Sequence, residues 1–282
     1  MSNEIPSLDQ ALIGAKSVPE CVLNQVKILN KKKNNLNYRI FANRLKNYYQ
    51  YITDRKLLET QRDHFNAFYD EIAKSYPNLL FRLEGRRKSL TSAYKKLWQS
   101  PPDMVLKDIA AFRITLFGDE SGNSNPLELT NMCYVIAEHL IHFSIESGFI
   151  PCPAEPLKNT EEFNSSEHPN VIIPKESGLA SDMQIYVKDY VLHPKNDEYQ
   201  SLHIVFMDEF QHYFEVQIRT LLMHIAAEDG PASHELYKQR YEKLHLKREN
   251  ISIPGYKVNG DRVYDWVGLE VSLEILRRQK TY

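Results

Sequence analysis

The sequence predicts an α+β domain in which a mixed β-sheet is flanked by helices. Residues 31–76 repeat apolar side chains every three to four positions, which is the period of an amphipathic helix. Ile109–Phe117 is rich in apolar and β-branched residues, as buried strands are, and a second helical pattern follows it. Two further strand-like runs, Ser201–Met207 and His212–Ile218, are separated by the four residues of a hairpin turn. A strand-helix-strand crossover together with a hairpin predicts both parallel and antiparallel pairing in one sheet.

The other elements follow from turn and stop signals. The N-terminal helices end before Pro77, and a short helix at Ser89–Trp98 ends before two prolines. Pro126 and Gly148 delimit the helix of the crossover unit. Phe149–Ser181 shows neither period and is predicted to be a long acidic loop. The remaining predictions are a strand at Met183–Leu192, helices at Thr220–Ala227 and Ala232–Leu246, and a C-terminal helix at Val263–Gln279.

Charge is unevenly distributed in a chain whose formal net charge is only −2. Residues 31–62 hold nine Lys or Arg and two acidic residues, net +7, whereas residues 119–182 hold eleven acidic residues and two lysines, net −9. A molecule polarised in this way can attract a polyanion at its basic end. We predict a basic helical N-terminal extension at residues 1–60, one α+β domain at residues 61–245 and a helical C-terminal extension at residues 246–282.

Cysteine usage and hydropathy indicate the compartment. The three cysteines show no Cys-x-x-Cys spacing, which argues against a disulfide framework or a zinc site and fits a reducing environment. No run approaches the roughly 20 apolar residues of a membrane helix. The first residues also lack the basic and apolar regions of a signal peptide. We therefore expect a cytoplasmic protein without a membrane partner.

Two sets of polar residues could carry chemistry. Lys88, Ser92 and Lys96 recur every four residues, so a helix would place two cations and a hydroxyl in one row, suited to a triphosphate. The alternative is a solvated basic helix face. Asp108 opens one predicted strand and Glu215 lies on another, where two converging carboxylates can hold Mg²⁺. Taken singly, Asp108 would be better explained as a strand-end cap and Glu215 as part of a surface salt bridge, but the strings that flank them, DIAAFRI and EVQIRT, favour the metal site.

Four segments of the chain, taken together, form a specific pattern: Gly85–Lys96, Asp108–Ile114, Lys188–His203 and Glu215–Thr220. In this order they resemble the synthetase domain of the RelA/SpoT family, which moves pyrophosphate from ATP onto a ribose hydroxyl. The resemblance implies a nucleotidyltransferase-like synthetase fold of α+β class. It also implies in-line attack by the hydroxyl on the β-phosphorus of ATP, with Mg²⁺ as cofactor. No His-Asp dipeptide stands upstream, so we expect a single-domain member without the hydrolase half of the long enzymes.

The resemblance also implies a role for each matching residue. Asp108 and Glu215 would bind the metal, with Glu215 also a candidate base, and Tyr199 would stack on the acceptor base. The residues implied for ATP are Arg86, Lys88, Ser92, Lys96 and Arg113, of which the arginines Arg86 and Arg113 can stack on adenine. The residues proposed for the acceptor are Tyr199, Lys188, His193, Lys195, His203, Gln217, Arg219 and His224. For His203, a hydrogen-bonded structural histidine is an equal alternative.

Two positions depart from the family's pattern, and both lie on the acceptor side. Glu198 stands where the family usually has a glycine before the tyrosine, so the chain loses the backbone freedom of glycine and gains a negative charge. His224 stands where small alarmone synthetases often have an asparagine near the guanine. The donor chemistry is therefore better defined than the acceptor.

We expect an ATP-dependent pyrophosphokinase whose acceptor is GDP or GTP. The alternative is a toxic relative that modifies the 3′ CCA end of tRNA, for which the basic stretch at residues 31–62 offers a phosphate-tracking surface. An adenine nucleotide acceptor, an antitoxin and a second copy of the chain also remain open. A catalytically dead nucleotide-binding regulator is disfavoured because both carboxylates and the ATP-binding cations are present.

Overall fold

The computed structural model describes residues 5–32, 35–88, 90–101, 104–119, 125–157, 171–195 and 198–229. The chain divides into two compact units. In the part of the chain that the structure describes, the first unit lies within residues 5–62 and 86–111, and the second lies within residues 63–85 and 112–229. Among the described residues no helix is long and apolar enough to cross a membrane.

Seven helices and six strands are described, in an order that mixes both types. The helices are α1 (Asp9–Leu12), α2 (Val18–Lys31), α3 (Leu36–Thr53), α4 (Arg55–Ser75), α5 (Leu90–Gln99), α6 (Pro126–Glu146) and α7 (Leu221–Asp229). The strands are β1 (Leu79–Arg87), β2 (Ala110–Asp119), β3 (Ile150–Cys152), β4 (Val187–Asp189), β5 (Leu202–Met207) and β6 (Tyr213–Thr220).

The first unit is a helical cluster built around α2, α3 and α5. The side chain of Ser17 accepts a hydrogen bond from the backbone of Glu20 at the start of α2, and Asn35 caps α3 in the same way. Phe41 of α3 packs edge-on against Tyr94 and Trp98 of α5, with ring centroids 4.7 and 5.1 Å away. These contacts bury the apolar faces that the helical periodicity predicts.

The second unit is built on the sheet, in the order β1-β2-β6-β5-β3, with β4 also paired to β5. Strands β3, β4 and β6 are all antiparallel to β5. One face carries fully buried aromatic side chains, including Phe206 and Phe214, whose rings stack 5.5 Å apart. Phe65 of α4 stacks on Phe112 of β2 at 3.7 Å and closes this core. Polar residues are thereby left to the opposite face, because successive strand residues point to opposite sides.

The predicted α+β class, a mixed sheet flanked by helices, is confirmed. The helices predicted within residues 31–76, at Ser89–Trp98 and at Thr220–Ala227 are present, and so is the hairpin of β5 and β6. Strand β1 was not predicted. The predicted helices at Ala232–Leu246 and Val263–Gln279 lie outside the described residues, and the domain boundaries at residues 60 and 245 stay predictions.

Two local predictions are wrong. The predicted loop at Phe149–Ser181 contains strand β3, whose Ile150 pairs with Met207. The predicted strand at Met183–Leu192 is reduced to β4, which a short 3₁₀ turn precedes. The strand ends at Asp189 because its carboxylate accepts hydrogen bonds from the backbone N–H groups of Val191 and Leu192 and so turns the chain.

Candidate active site

In the first unit, two lysines converge on one carboxylate. Lys88 Nζ lies 2.7 Å from Asp108 Oδ2, and Lys96 Nζ lies 2.9 Å from the same atom. Lys88 precedes α5, Lys96 lies in its last turn, and Asp108 precedes β2. The backbone N–H of Lys88 donates to the carbonyl of Ile109 at 2.7 Å, and this bond joins the two ends of the segment 88–109. The two predicted ATP-binding lysines and the predicted metal ligand therefore form one cluster.

The two ammonium groups determine the charge state of Asp108. Burial alone would raise the pKa of the Asp108 carboxyl, but the hydrogen bonds and charges of Lys88 and Lys96 outweigh burial and lower that pKa. The second carboxylate oxygen, Oδ1, is buried and accepts no hydrogen bond within the described part of the chain. An ionised carboxylate with an unused oxygen is the type of ligand that Mg²⁺ prefers. Asp108 thus fits the predicted metal-binding role.

The other residues predicted for ATP are less completely described. The backbones of Arg86 and Ser92 belong to β1 and α5, but their side chains lie outside the described residues. Arg113 lies on β2 in the second unit, where its charge acts on Tyr199. Their contacts with ATP therefore stay predictions.

In the second unit, four side chains form a continuous hydrogen-bonded chain. The hydroxyl of Tyr199 lies 2.7 Å from His203 Nε2, and His203 Nδ1 lies 3.1 Å from Glu215 Oε1. Gln217 Nε2 donates to Glu215 Oε2 at 2.8 Å. Strand register explains the grouping, because His203 on β5 stands opposite Gln217 on β6. The predicted acceptor tyrosine is thus linked to the predicted metal carboxylate.

One tautomer of His203 satisfies every bond in this chain. If the neutral ring carries its proton on Nδ1, it donates to Glu215 and its Nε2 accepts from the hydroxyl of Tyr199. Both oxygens of Glu215 then accept hydrogen bonds, Oε1 from His203 and Oε2 from Gln217, and such bonds stabilise an ionised carboxylate. An ionised carboxylate in fixed orientation serves as a metal ligand, and Glu215 therefore also fits the predicted role.

Sequence analysis missed Tyr190. Its ring centroid lies 5.1 Å from the ring of His203 and 6.0 Å from that of Tyr199. Lys195 Nζ lies 4.4 Å from the ring centroids of both tyrosines. Burial and the nearby charge of Glu215 raise the pKa of the Tyr190 hydroxyl. The available signal was its position two residues after Lys188, in the same segment as Tyr199.

Glu198 adopts a conformation that suits glycine. Its φ of +63° lies in the left-handed region, which an L-residue with a Cβ adopts at a cost. The turn requires this geometry, because the N–H of Glu198 donates to the carbonyl of Lys195 while the N–H of Lys195 donates to the carbonyl of Tyr199. The turn before Tyr199 therefore keeps the backbone that a glycine would adopt freely.

The other predicted acceptor residues are spread more widely. Arg219 and His224 are both buried and form a pair with 2.6 Å between Nη2 and Nδ1. The charge of Arg219 still reaches Tyr199, where burial raises the hydroxyl pKa and Arg219 opposes that rise. Lys188 pairs with Glu155 at 3.5 Å, and the side chain of His193 is exposed. The structure thus groups Tyr199, His203, Gln217, Lys195 and Arg219 and leaves Lys188 and His193 at the edge.

The residues Tyr199, His203, Glu215 and Gln217 lie in a stretch that is similar to known proteins. Residues 172–242 match the family model described as the region found in RelA / SpoT proteins. Over 52 residues the chain is 60% identical to the probable GTP diphosphokinase RSH2, chloroplastic, of Oryza sativa subsp. japonica, covering 18% of this chain and 7% of that protein. The Arabidopsis thaliana protein of the same name is 51% identical over 61 residues, covering 22% of this chain and 9% of that protein.

Two further matches come from bacteria. A GTP pyrophosphokinase of Myxococcus xanthus is 46% identical over 52 residues, covering 18% of this chain and 7% of that protein. The crystal structure of the small alarmone synthetase 2 from Bacillus subtilis is similar over 79% of this chain and 90% of that chain, at 19% identity and a TM-score of 0.37. A structural likeness of that size supports no assignment.

The predicted RelA/SpoT resemblance is confirmed by the family model and the sequence relatives. The chain spans less than a tenth of the length of the three sequence relatives named above. The activities in the names of these relatives are therefore stated of those proteins and not of this chain.

Proposed function

We propose that this chain, whose residues 172–242 match the model of the region found in RelA / SpoT proteins, is an ATP-dependent pyrophosphokinase. It transfers the β,γ-pyrophosphate of ATP to the 3′-hydroxyl of a guanine nucleotide, GDP or GTP. The observation that carries this proposal is the chain of hydrogen bonds from Tyr199 through His203 to Glu215 and Gln217. These four residues lie inside the stretch that matches the family model, and the proteins similar to the chain include ones named probable GTP diphosphokinase.

The donor is held by the cluster of Lys88, Lys96 and Asp108. The two ammonium groups lie within 2.9 Å of the same oxygen, so they form a compact positive site that matches a triphosphate. Binding of ATP exchanges their bonds with Asp108 for bonds with phosphate oxygens. This exchange neutralises the donor's charge and orients it, which is the main contribution that a protein makes to phosphoryl transfer.

The acceptor is positioned by Tyr199 and its neighbours. The ring of Tyr199 provides a face on which a purine can stack. Lys195 lies beside that ring, and the charge of Arg219 reaches its hydroxyl, so both cations are suited to acceptor phosphates. His203 fixes the hydroxyl of Tyr199 at 2.7 Å and thereby the direction of its ring. The stacked nucleotide is then held with its ribose in one orientation.

The carboxylates Asp108 and Glu215 are the candidate Mg²⁺ ligands. Both supply the oxygen donors that Mg²⁺ requires. Mg²⁺ held by either carboxylate would offset the negative charge of the phosphates. The hydrogen bonds from His203 and Gln217 favour the ionised form of Glu215 and fit a ligand better than a base.

A labelling experiment tests the proposal directly. The purified chain is incubated with γ-labelled ATP and Mg²⁺, and with GDP, GTP or deacylated tRNA in separate reactions. We expect label in a new guanine nucleotide and none in that product with a Glu215→Gln variant. Absence of any labelled guanine nucleotide from wild type would contradict the proposal.

The tRNA arm of the same experiment tests the alternative acceptor. Lys31, Lys32, Arg39 and Lys46 are exposed on the N-terminal helices, so a cationic surface is available for a polyanion. If tRNA is the acceptor, neutralising Lys31 and Lys32 should reduce the salt dependence of RNA binding by a log-log slope of roughly 0.7–0.9 per lost phosphate contact. Label in the tRNA band instead of a nucleotide would establish this alternative.

A further inference from the structure

One arginine of the N-terminal helices bonds to the end of α5. Arg44, on α3, donates from Nη1 to the carbonyls of Leu97 and Ser100, the second at 3.0 Å. Its Nη2 donates to the carbonyl of Met104 at 3.1 Å. The guanidinium thus bridges the last turn of α5 and the segment that leads to Asp108. It satisfies carbonyls that the end of a helix leaves without partners within the helix.

A second side chain of α3 bonds to the other end of the same segment. The hydroxyl of Tyr48, one helical turn beyond Arg44, donates to the carbonyl of Lys88 at 3.1 Å. Tyr48 is almost completely buried, so its hydroxyl is held in place by packing. Tyr48 thus bonds to the backbone at Lys88, and Arg44 bonds to the backbone just after Lys96.

We propose that Arg44 and Tyr48 are positioning residues of the donor site, and this inference rests on the proposed function. Lys88 and Lys96 belong to the segment whose two ends these side chains hold, and both lysines must keep their spacing to bind one triphosphate. The guanidinium of Arg44 is directed to three carbonyls of its own chain and is not part of the cationic surface. The N-terminal helices therefore contribute to ATP binding without contacting ATP.

The test uses variants that remove these bonds while changing little else. Arg44→Lys keeps the charge and loses the planar fork that reaches three carbonyls, and Tyr48→Phe removes only a hydroxyl. Lys27→Ala is a control because Lys27 is exposed on α2. For each protein we would measure the dissociation constant of ATP directly by equilibrium binding, the KM values for ATP and acceptor, and the thermal midpoint.

We expect Arg44→Lys to weaken ATP binding about tenfold and Tyr48→Phe about threefold, with the acceptor KM unchanged. Lys27→Ala should behave as wild type. Unchanged ATP affinity in both variants would overturn the inference, and so would equal losses of ATP and acceptor affinity. If Arg44→Lys fails to fold, the milder Tyr48→Phe decides the question.

The binding measurement separates this inference from the proposed function. ATP affinity can be compared between variants even if wild type transfers no pyrophosphate to a guanine nucleotide. A wild type that binds ATP but labels no nucleotide contradicts the proposed acceptor and leaves the roles of Arg44 and Tyr48 measurable. A wild type that binds no ATP contradicts both.

Discussion

His203 Nδ1 lies 3.1 Å from Glu215 Oε1, so one histidine joins the acceptor side of the site to a candidate metal ligand. The other ring nitrogen of His203 bonds to the hydroxyl of Tyr199. Because a neutral imidazole has one donor and one acceptor, the two bonds depend on each other. The orientation of the tyrosine and that of the carboxylate are therefore coupled through one ring.

Loss of either candidate metal ligand should abolish transfer. We expect Asp108→Asn and Glu215→Gln each to lower the rate of pyrophosphate transfer by at least about 10²-fold, because a charge-stabilising group is lost from the transition state. Circular dichroism should show the folded spectrum in both variants. Glu209→Gln is the matched control, because it neutralises an exposed carboxylate in the turn between β5 and β6. Near-normal turnover in Asp108→Asn or Glu215→Gln would remove that residue from the site.

Tyr199 should separate stacking from hydrogen bonding. Tyr199→Ala loses the stacking surface, worth about 1–3 kcal/mol, so acceptor affinity should fall between about fivefold and 150-fold. Tyr199→Phe keeps the ring and loses the hydroxyl with its hydrogen bonds, including the one to His203, so its defect should be much smaller. ATP affinity, measured by equilibrium binding, should be the same in both variants. A parallel loss of ATP affinity would instead indicate a structural role for Tyr199.

Tyr190 should support the acceptor site through Lys195. Tyr190→Leu removes one of the two rings that hold the ammonium group, and we expect the acceptor KM to rise about threefold, in line with an exposed cation–π contact. Tyr190→Phe keeps the aromatic face and should restore the wild-type KM. Steady-state kinetics with varied acceptor and saturating ATP measure the difference. If the phenylalanine variant is as defective as the leucine variant, the ring is not what matters.

Glu198 should report the cost of its backbone conformation. At φ +63°, Glu198→Gly removes the Cβ that makes this conformation unfavourable, whereas Glu198→Ala removes the charge and keeps the Cβ. We expect the glycine variant to be more stable than the alanine variant by about 1 kcal/mol in urea unfolding. Equal stabilities would mean that the turn relaxes to another conformation when the side chain is shortened.

His64 should make stability depend on pH. It is buried among aromatic rings, with Nε2 3.1 Å from the hydroxyl of Ser144, and burial lowers its pKa from 6.5 to about 4. The unfolded chain therefore binds a proton first as pH falls below 6.5, and this favours unfolding until pH 4 is reached. The loss from this group should approach about 3 kcal/mol.

Urea unfolding between pH 7 and pH 4 measures this effect. A His64→Phe variant should lose this part of the pH dependence because phenylalanine binds no proton. His142→Asn, which changes an exposed histidine of α6, should retain it. The same pH slope in wild type and His64→Phe would contradict the assignment to His64.

Local sequence was sufficient to predict much of this molecule. Helical spacing predicts α3, α4 and α6, and the β-rich runs predict β2 and the hairpin of β5 and β6, because side-chain period reflects which face of an element is buried. The strings around Tyr199 and Glu215 were sufficient to indicate the resemblance to the RelA/SpoT family, which the match over residues 172–242 confirms. Strand β1 was not predicted. Strand β4 ends at Asp189, earlier than the residue types of Met183–Leu192 predict, because the carboxylate of Asp189 bonds to the backbone that follows. Side-chain bonds of this kind compete with the intrinsic preference for a strand.

Only the tertiary structure decided which of these residues meet. The spacing of Lys88 and Lys96 predicts one row on a helix, but Lys88 precedes α5. Folding directs both side chains to Asp108, 20 and 12 positions away along the chain. The sequence does not distinguish Arg44 from the other basic residues of the stretch 31–62, whereas in the structure Arg44 bonds to Leu97 and Ser100, more than 50 positions along the chain. The identity and spacing of residues determine the local secondary structure and the functional groups that are available. Packing of the whole chain determines which residues distant in sequence come into contact, because buried donors and acceptors must form hydrogen bonds.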